Sequence, residues 1–255
     1  MIVKDLSSLQ KRIERFFASY KFNREEVRFL VDDLRKVGVV AIFGGMLRDL
    51  ALGGNKFFSS DVDLVIELSD SNRLLKIISN YDYNINAFGG YRIFLNKWRV
   101  DLWDIKETWA FKQHHAELTD LKSLLSTTFF NWDAIVYRFD TKEIYCHDKY
   151  LEELNNRYLD INLEQNPNEL GSFVRALRLI YHYNANVSPR LINFICKSFN
   201  KHDIREIYEY QIRKDRAKML SEETLIFIKE EIYHHCESSC NGPFTLPDKQ
   251  AQLKF

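Results

Sequence analysis

What this chain lacks narrows its possible roles. Its 36 Lys and Arg are matched by 36 Asp and Glu, so no net field draws it onto a polyanion. That balance counts against a protein whose main task is gripping a long RNA. No apolar run approaches the roughly 18 residues that would suggest a membrane-spanning helix. The first residues, MIVKDLSSLQKRIERF, are charged and amphipathic, whereas a signal peptide needs an apolar centre. The expected compartment is the cytoplasm, with no membrane partner. Four cysteines in 255 residues do not make a disulfide framework, so reduced thiols are expected. There is no internal repeat and no low-complexity linker.

What is present is an ordinary globular balance, 45% apolar and 28% charged, in a chain long enough for one large domain or two small ones. The 14% aromatic content suits large side chains filling a mixed core. Leu6, Leu9, Ile13, Phe16 and Phe17 recur at helical spacing, as do Val27, Leu30, Val31 and Leu34, which predicts two helices over 6–37. Asn23, followed by two acids, is expected to cap the second of these, and Gly38 to stop it. Residues 39–43 read as a short apolar strand, 46–52 as a helix begun at a Gly-Gly turn, and 61–67 as a strand after a Gly-Gly-Asn loop. Ser69-Asp70-Ser71 is expected to cap a helix reaching Ile78. Residues 83–105 have strand character with a turn at Gly89-Gly90. Within them RVDLWD alternates, so Arg99, Asp101 and Trp103 share one face. Residues 118–127 read as a helix, and 133–139 with 143–146 as a hairpin.

From Lys149 the pattern reads as helices only, near 149–156, 168–184, 188–199, 202–217 and 221–235, before a tail marked by Gly-Pro and Leu-Pro. The expected class is α+β: a small mixed sheet flanked by helices, then an all-helical C-terminal domain. The expected divisions are N-terminal helices over 1–37 packing on a head over 38–155, a helical neck over 156–236, and an irregular tail over 237–255.

The chemistry is concentrated in 39–67, VVAIFGGMLRDLALGGNKFFSSDVDLVIE. Gly44 and Gly45 let the backbone approach a phosphate closely, and the helix they open presents its amides to it. Arg48 and Asp49 lie one turn in. Arg48 is within reach of a phosphate or sugar hydroxyl, or else sits in a surface salt bridge; Asp49 fixes Arg48 or the loop. Asp61 and Asp63 are two apart on a strand, so their carboxylates share a face. Such a pair alone more often solvates a strand end, but behind a Gly-Gly turn a metal site is the better reading. Asp101 has the phase to face the same place. Three convergent carboxylates suit two divalent cations about 3.5–4 Å apart, as in-line nucleotidyl displacement requires, and oxygen ligands select Mg2+ or Mn2+.

Gly44-Gly45-Met46-Leu47-Arg48-Asp49 followed by Asp61-Val62-Asp63 resembles the signature of the DNA polymerase β-like nucleotidyltransferases. More narrowly it resembles the head of bacterial-type CCA-adding enzymes and poly(A) polymerases, whose motif reads G-G-x-x-R-D and then D-x-D. Phe130-Asn-Trp-Asp-Ala-Ile135 stands where that family has Arg-Arg-Asp-Phe-Thr-x-Asn-Ala-Leu. His147-Asp148 through Leu154 resembles its Asp-Pro-x-x-Gly-x-x-Asp-Leu segment, and Val174-Arg175-Ala176-Leu177-Arg178-Leu179 its neck helix. The likeness extends over roughly 38–185. It implies transfer of an NMP from an NTP to a hydroxyl, with release of pyrophosphate. In that picture Asp61, Asp63 and Asp101 are catalytic and bind the metals, while Gly44, Gly45, Arg48, Asp49, Asp133, Arg175 and Arg178 bind the nucleotide.

The departures concern the substrate. The family's Arg-Arg-Asp falls on Thr127, Thr128 and Phe129, and its Asn on Asp133. The Glu-Asp-x-x-Arg element that reads the incoming base falls near Asn168, Glu169 and Ser172. The resemblance implies a tRNA-like RNA 3′ end as acceptor. The neutral charge keeps a small molecule or a protein hydroxyl beside it, and a non-catalytic nucleotide-binding regulatory module is a reading of a different class.

Three further features stand apart. Arg190, Lys197, Lys201, Arg205, Arg213, Lys214, Arg216 and Lys218 form a basic collection, but Asp203, Glu206, Glu209 and Asp215 among them favour a mixed exposed surface over a phosphate grip. His234, Cys236 and Cys240 are ligand types without a second cluster to complete four zinc bonds. Trp132, inside the altered motif, is the tryptophan with the best claim to stack on a base.

Overall fold

The computed structural model describes residues 1–53, 61–69, 71–86, 88–214, 219–238 and 242–247. Asp70, Asp215, Arg216, Lys218, Cys240 and most of the Gly-Gly-Asn loop lie outside the described residues. The chain divides into two compact units, Met1–Leu151 and Glu152–Phe255.

In the first unit, α1 (Leu6–Phe17) starts behind Asp5, whose carboxylate accepts the Ser8 amide at 2.6 Å. It buries Leu9, Ile13, Phe16 and Phe17 on one stripe. α2 (Arg24–Leu34) is not capped by Asn23. That residue takes a left-handed conformation, φ 57°, and its side-chain amide donates to Glu26 at 3.1 Å instead. Asparagine tolerates this backbone region as readily as it caps, and the tight link between the helices needs the former. Nor does Gly38 stop the helix, which ends at Leu34. Gly38 opens β1 (Gly38–Phe43), where a Cβ would lie 2.5 Å from the Glu67 carbonyl oxygen of the neighbouring strand.

The unit continues through α3 (Gly45–Gly53), β2 (Val62–Leu68), α4 (Ser71–Ile78), β3 (Asp82–Ile85), β4 (Tyr91–Phe94), β5 (Arg99–Asp104), α5 (Trp109–Lys112), β6 (Ile135–Arg138) and β7 (Ile144–Cys146). α6 (Tyr150–Asn155) carries the chain into the second unit. Between α5 and β6, the expected helix over 118–127 is a tighter 3-10 segment, Leu121–Ser126, begun by a capping box of Asp120 and Ser123.

The seven strands order as β3-β4-β5-β2-β1-β6-β7. Every neighbouring pair is antiparallel except β2 and β5, which run parallel. One face carries Ala41, Val65 and Val136 into an apolar cluster with Ile105, Phe111, Leu121 and Leu124. The alternate residues Val40, Ile42, Leu64 and Ile66 are also buried, and α2 and α3 pack on β1. Burial on both faces is why β1 reads as an unbroken apolar run.

The second unit holds β8 (Tyr158–Leu159), α7 (Glu169–Tyr183), β9 (Asn186–Val187), α8 (Pro189–Lys201), α9 (Ile204–Lys214), α10 (Glu222–Glu237) and β10 (Phe244–Thr245). α7, α8 and α10 are capped by Asn168, Ser188 and Ser221, and α8 has Pro189 in its first turn. The three two-residue strands form a small sheet, β10-β9-β8, that is too short to show any period in the sequence. Among the described residues no helix is long and apolar enough to cross a membrane.

Candidate active site

β1 delivers the chain into the Gly-Gly turn. Gly44 takes φ +76°, a conformation that strains any residue with a side chain, and donates its N–H to the Ile135 carbonyl at 3.1 Å. A Cβ built on it meets nothing within 4 Å, so the space beside it is open. Its carbonyl accepts the Arg48 amide at 3.2 Å, closing the first turn of α3. A Cβ on Gly45 would stand 3.3 Å from an Arg48 guanidinium nitrogen. The antiparallel register ending at Ile42–Leu64 brings this turn beside the start of β2.

At that same end of the sheet two of the aspartates are paired by strand register. Parallel pairing of β2 with β5 makes Asp63 and Asp101 register partners, and two positions further along, in the same phase, Val65 pairs with Trp103. The pair therefore stands at the rim of the apolar cluster, where Trp103 meets Phe43 edge-on at 5.4 Å. Asp61, two residues before Asp63, has the same phase.

Two arginines that the sequence does not single out as site residues complete this face. Arg92 on β4 is the register partner of Asp101. Its Nε and Nη2 donate to the two Asp101 oxygens at 2.8 and 2.7 Å. Arg99 donates its Nε and Nη2 to Asp61 Oδ1, at 2.8 and 2.7 Å. The Arg92 pKa is pushed up chiefly by its bond to Asp101, with Asp61 and Asp63 adding to it. Three carboxylates thus share a face with two guanidinium groups. The alternation of β5 placed Arg99 there; Arg92 had no sequence signal, because its place depends on strand register.

The donor set has the chemistry of a site for a hard divalent cation, since all three side chains offer carboxylate oxygens. As they stand, Asp61 and Asp101 are held by the arginines. Among the described residues no three His, Cys, Asp or Glu side chains gather into a metal-holding group.

Arg48, Asp49 and Asp133 form a second cluster. Arg48 donates Nε to Asp49 at 3.0 Å and Nη1 to Asp133 at 2.6 Å, with side-chain exposures of 8%, 0% and 5% for the three residues. Arg48 is thus neither on a surface salt bridge nor turned outward. It clamps α3 to the 3-10 turn Asn131–Asp133. The Tyr150 hydroxyl donates to the Trp132 carbonyl at 2.9 Å and secures the same turn. Trp132 is fully buried, which removes it as a platform for a base.

In the second unit, Arg175 and Arg178 both lie on α7. Arg175 is exposed; Arg178 is half-buried and donates Nε to Gln211 at 3.2 Å. Gln211 in turn bridges Leu220, accepting its N–H at 3.0 Å and donating to its carbonyl at 3.2 Å. Asn168 caps α7, and Glu169 pairs with Lys201 at 2.7 Å. In the basic collection, Arg205 pairs with Glu209 and Arg190 donates to the Ile161 carbonyl. Cys236 lies 3.5 Å from the Cys196 sulfur, and His235 faces the Gly242 carbonyl at 3.2 Å.

No family model matches the sequence, and no curated protein matches it. Solved structures do match the fold. A CCA-adding enzyme from Thermotoga maritima complexed with tRNA matches with a TM-score of 0.60 and 16% identity, over 91% of this chain and 55% of its own. A CCA-adding enzyme with ATP matches at 0.57 and 15% identity, over 91% and 55%. A tRNA-processing enzyme with CTP matches at 0.54 and 16% identity, over 80% and 56%. The chain therefore spans a little over half the length of these structures. At such identities the likeness is one of fold, and it is the fold that the Gly-Gly and Asp-x-Asp motifs resemble.

Proposed function

We propose that this chain is a nucleotidyltransferase that moves an NMP from an NTP to a hydroxyl acceptor, a tRNA-like RNA 3′ end, and releases pyrophosphate. The reading rests above all on the register pairing of Asp63 with Asp101, at the sheet end where the Gly44–Gly45 turn opens α3. The matched structures hold tRNA, ATP or CTP, which supports the same substrates.

Asp61, Asp63 and Asp101 are the residues to hold divalent cations, Mg2+ or Mn2+, which when bound neutralise phosphate charge and acidify an attacking hydroxyl. The remaining work falls to the chain itself. Gly44 keeps the phosphate side free of a side chain, and the amides at the start of α3 donate to the triphosphate. Asp101 also helps to take the acceptor proton. Arg48, Asp49 and Asp133 position α3 from behind. In this scheme the residues before 38 belong with the head, and 156–236 form the neck.

The equal counts of acid and base favour a second acceptor class, a small molecule or a protein hydroxyl. Incubation of the purified chain with each α-labelled NTP, Mg2+ and total RNA separates the readings. Label in RNA supports the proposal. Label in a small molecule or in protein redirects the acceptor. Nucleotide binding with no product from any NTP removes the enzyme and leaves the regulatory module.

A further inference from the structure

The geometry points to Arg92 as an internal cation that a metal ion must displace from Asp101, so that Arg92 sets the affinity of the site for divalent cations. The inference rests on the metal-dependent reading of this site and asks what controls its loading.

Arg92 and Asp101 face each other across the β4–β5 ladder, where side chains of register partners meet. The guanidinium fork engages both carboxylate oxygens, at 2.8 and 2.7 Å. A cation approaching Asp101 therefore finds both oxygens already accepting charged donors. The guanidinium does not lose its proton in water at any ordinary pH, so the competition is between two cations. Asp61 and Asp63 contribute attraction to the same guanidinium. Arg92 also answers a folding problem: three neighbouring carboxylates repel one another, and a fixed positive charge among them offsets that repulsion before any metal arrives.

The lock is a weak one by design of its surroundings. The side chain of Arg92 is 39% exposed, so water screens the bridge and can replace it. The Arg99–Asp61 contact is looser still. Both of its nitrogens meet a single oxygen, and its side chains are 44% and 28% exposed. Arg99 is accordingly the lesser rival. An ion of double charge and compact size, bound to several carboxylates at once, outcompetes a screened guanidinium held by one.

Mn2+ binding to the whole chain, followed through the spectroscopic signal of the free aqueous ion, tests this without reference to turnover. Arg92→Met keeps much of the aliphatic stem and removes the charge; Arg92→Lys keeps the charge and loses the fork. The expected result is Mn2+ affinity raised on the order of tenfold in Arg92→Met, by release of a charged hydrogen-bond pair, with Arg92→Lys between it and the wild type. Arg99→Met should produce a smaller gain, and Asp101→Asn should weaken binding in both the wild-type and the Arg92→Met background. Unchanged or weaker binding in Arg92→Met, while Asp101→Asn still weakens it, overturns the inference and leaves the metal site standing. No Mn2+ binding in any variant or the wild type overturns both. Should Arg92→Met fail to fold, Arg92→Lys decides: tighter binding supports the inference and equal binding overturns it.

Discussion

Arg48 and Asp133 stand 85 positions apart in the chain and meet at 2.6 Å, with side chains only 8% and 5% exposed. Asp49, wholly buried, completes the cluster through the other edge of the same guanidinium. The contact ties the helix behind the Gly-Gly turn to the segment that leads into β6. It lets the end of β1 and the start of α3 hold one geometry without help from a ligand.

Removing Arg48 takes a charged donor from two buried carboxylates, and removing Asp133 takes a charged acceptor from a buried guanidinium. Arg48→Met and Asp133→Ala should each destabilise the fold by about 3–5 kcal/mol, the range for breaking a buried pair. The double variant should fall well short of the sum, because both changes break the same contact. Urea denaturation of the four proteins measures this.

Gly38 and Gly44 should respond differently to alanine. At Gly38 the new Cβ meets the Glu67 carbonyl oxygen at 2.5 Å, and separating β1 from β2 should destabilise the protein by about 1–3 kcal/mol. At Gly44 the Cβ meets nothing, and only the φ of +76° penalises it, by roughly 1–2 kcal/mol. Gly44→Ala should therefore fold and bind NTP more weakly, whereas Gly38→Ala should lose stability without a specific loss of NTP affinity. Thermal melts with a nucleotide titration distinguish the two.

Alkali should destabilise the protein through the few groups whose protons burial holds. Burial pushes the Tyr137 hydroxyl from 10.0 up to about 12, and the Cys146 thiol from 9.0 up to about 11. Tyr81 also rises to about 12, through burial first and then the charge of Asp33. Raised folded values mean that the unfolded chain gives up these protons first. Their stabilising effect is complete below about pH 9 and is lost as pH climbs through 11 to 12. Melting temperature against pH should decline over that window, and Tyr137→Phe should make the decline shallower.

Cys196 and Cys236 are placed to cross-link. Their sulfurs are 3.5 Å apart, on α8 and α10, 40 residues apart in sequence. Exchange with oxidised glutathione should join them, two thiols giving up two hydrogens as the oxidant becomes two glutathione thiols. Burial, with the Cys236 contact, pushes the Cys196 thiol up to about 12, so exchange at neutral pH should be slow and should start from the exposed Cys236. Peptide mass mapping reads the link, and Cys196→Ser should abolish it.

The legible parts of this molecule are those with a local period. The helices α1 and α2, the strand before Gly44 and the alternation of RVDLWD all follow from spacing. So does the shared face of Asp61, Asp63 and Asp101, once β2 and β5 are strands. Contacts set by register or by distant packing left no such trace. Arg92 meets Asp101 only because β4 pairs with β5 in one particular register, and Arg48 finds Asp133 only when the fold has closed. Asn23 shows a subtler limit: the same short polar side chain serves a cap or a left-handed turn, and tertiary packing chose the turn. The two-residue strands β8, β9 and β10 are shorter than any window in which alternation can be seen.

Transfer of label from α-labelled NTPs by the intact chain and by its Asp63→Asn variant bears on the proposed chemistry more closely than any other measurement. The change keeps the size of the side chain and removes its charge at the register partner of Asp101. The expected outcome is labelled product from the wild type with Mg2+, and none above background from a variant that melts as the wild type does. Undiminished transfer by Asp63→Asn would contradict the assignment of this carboxylate face as the site of nucleotidyl transfer.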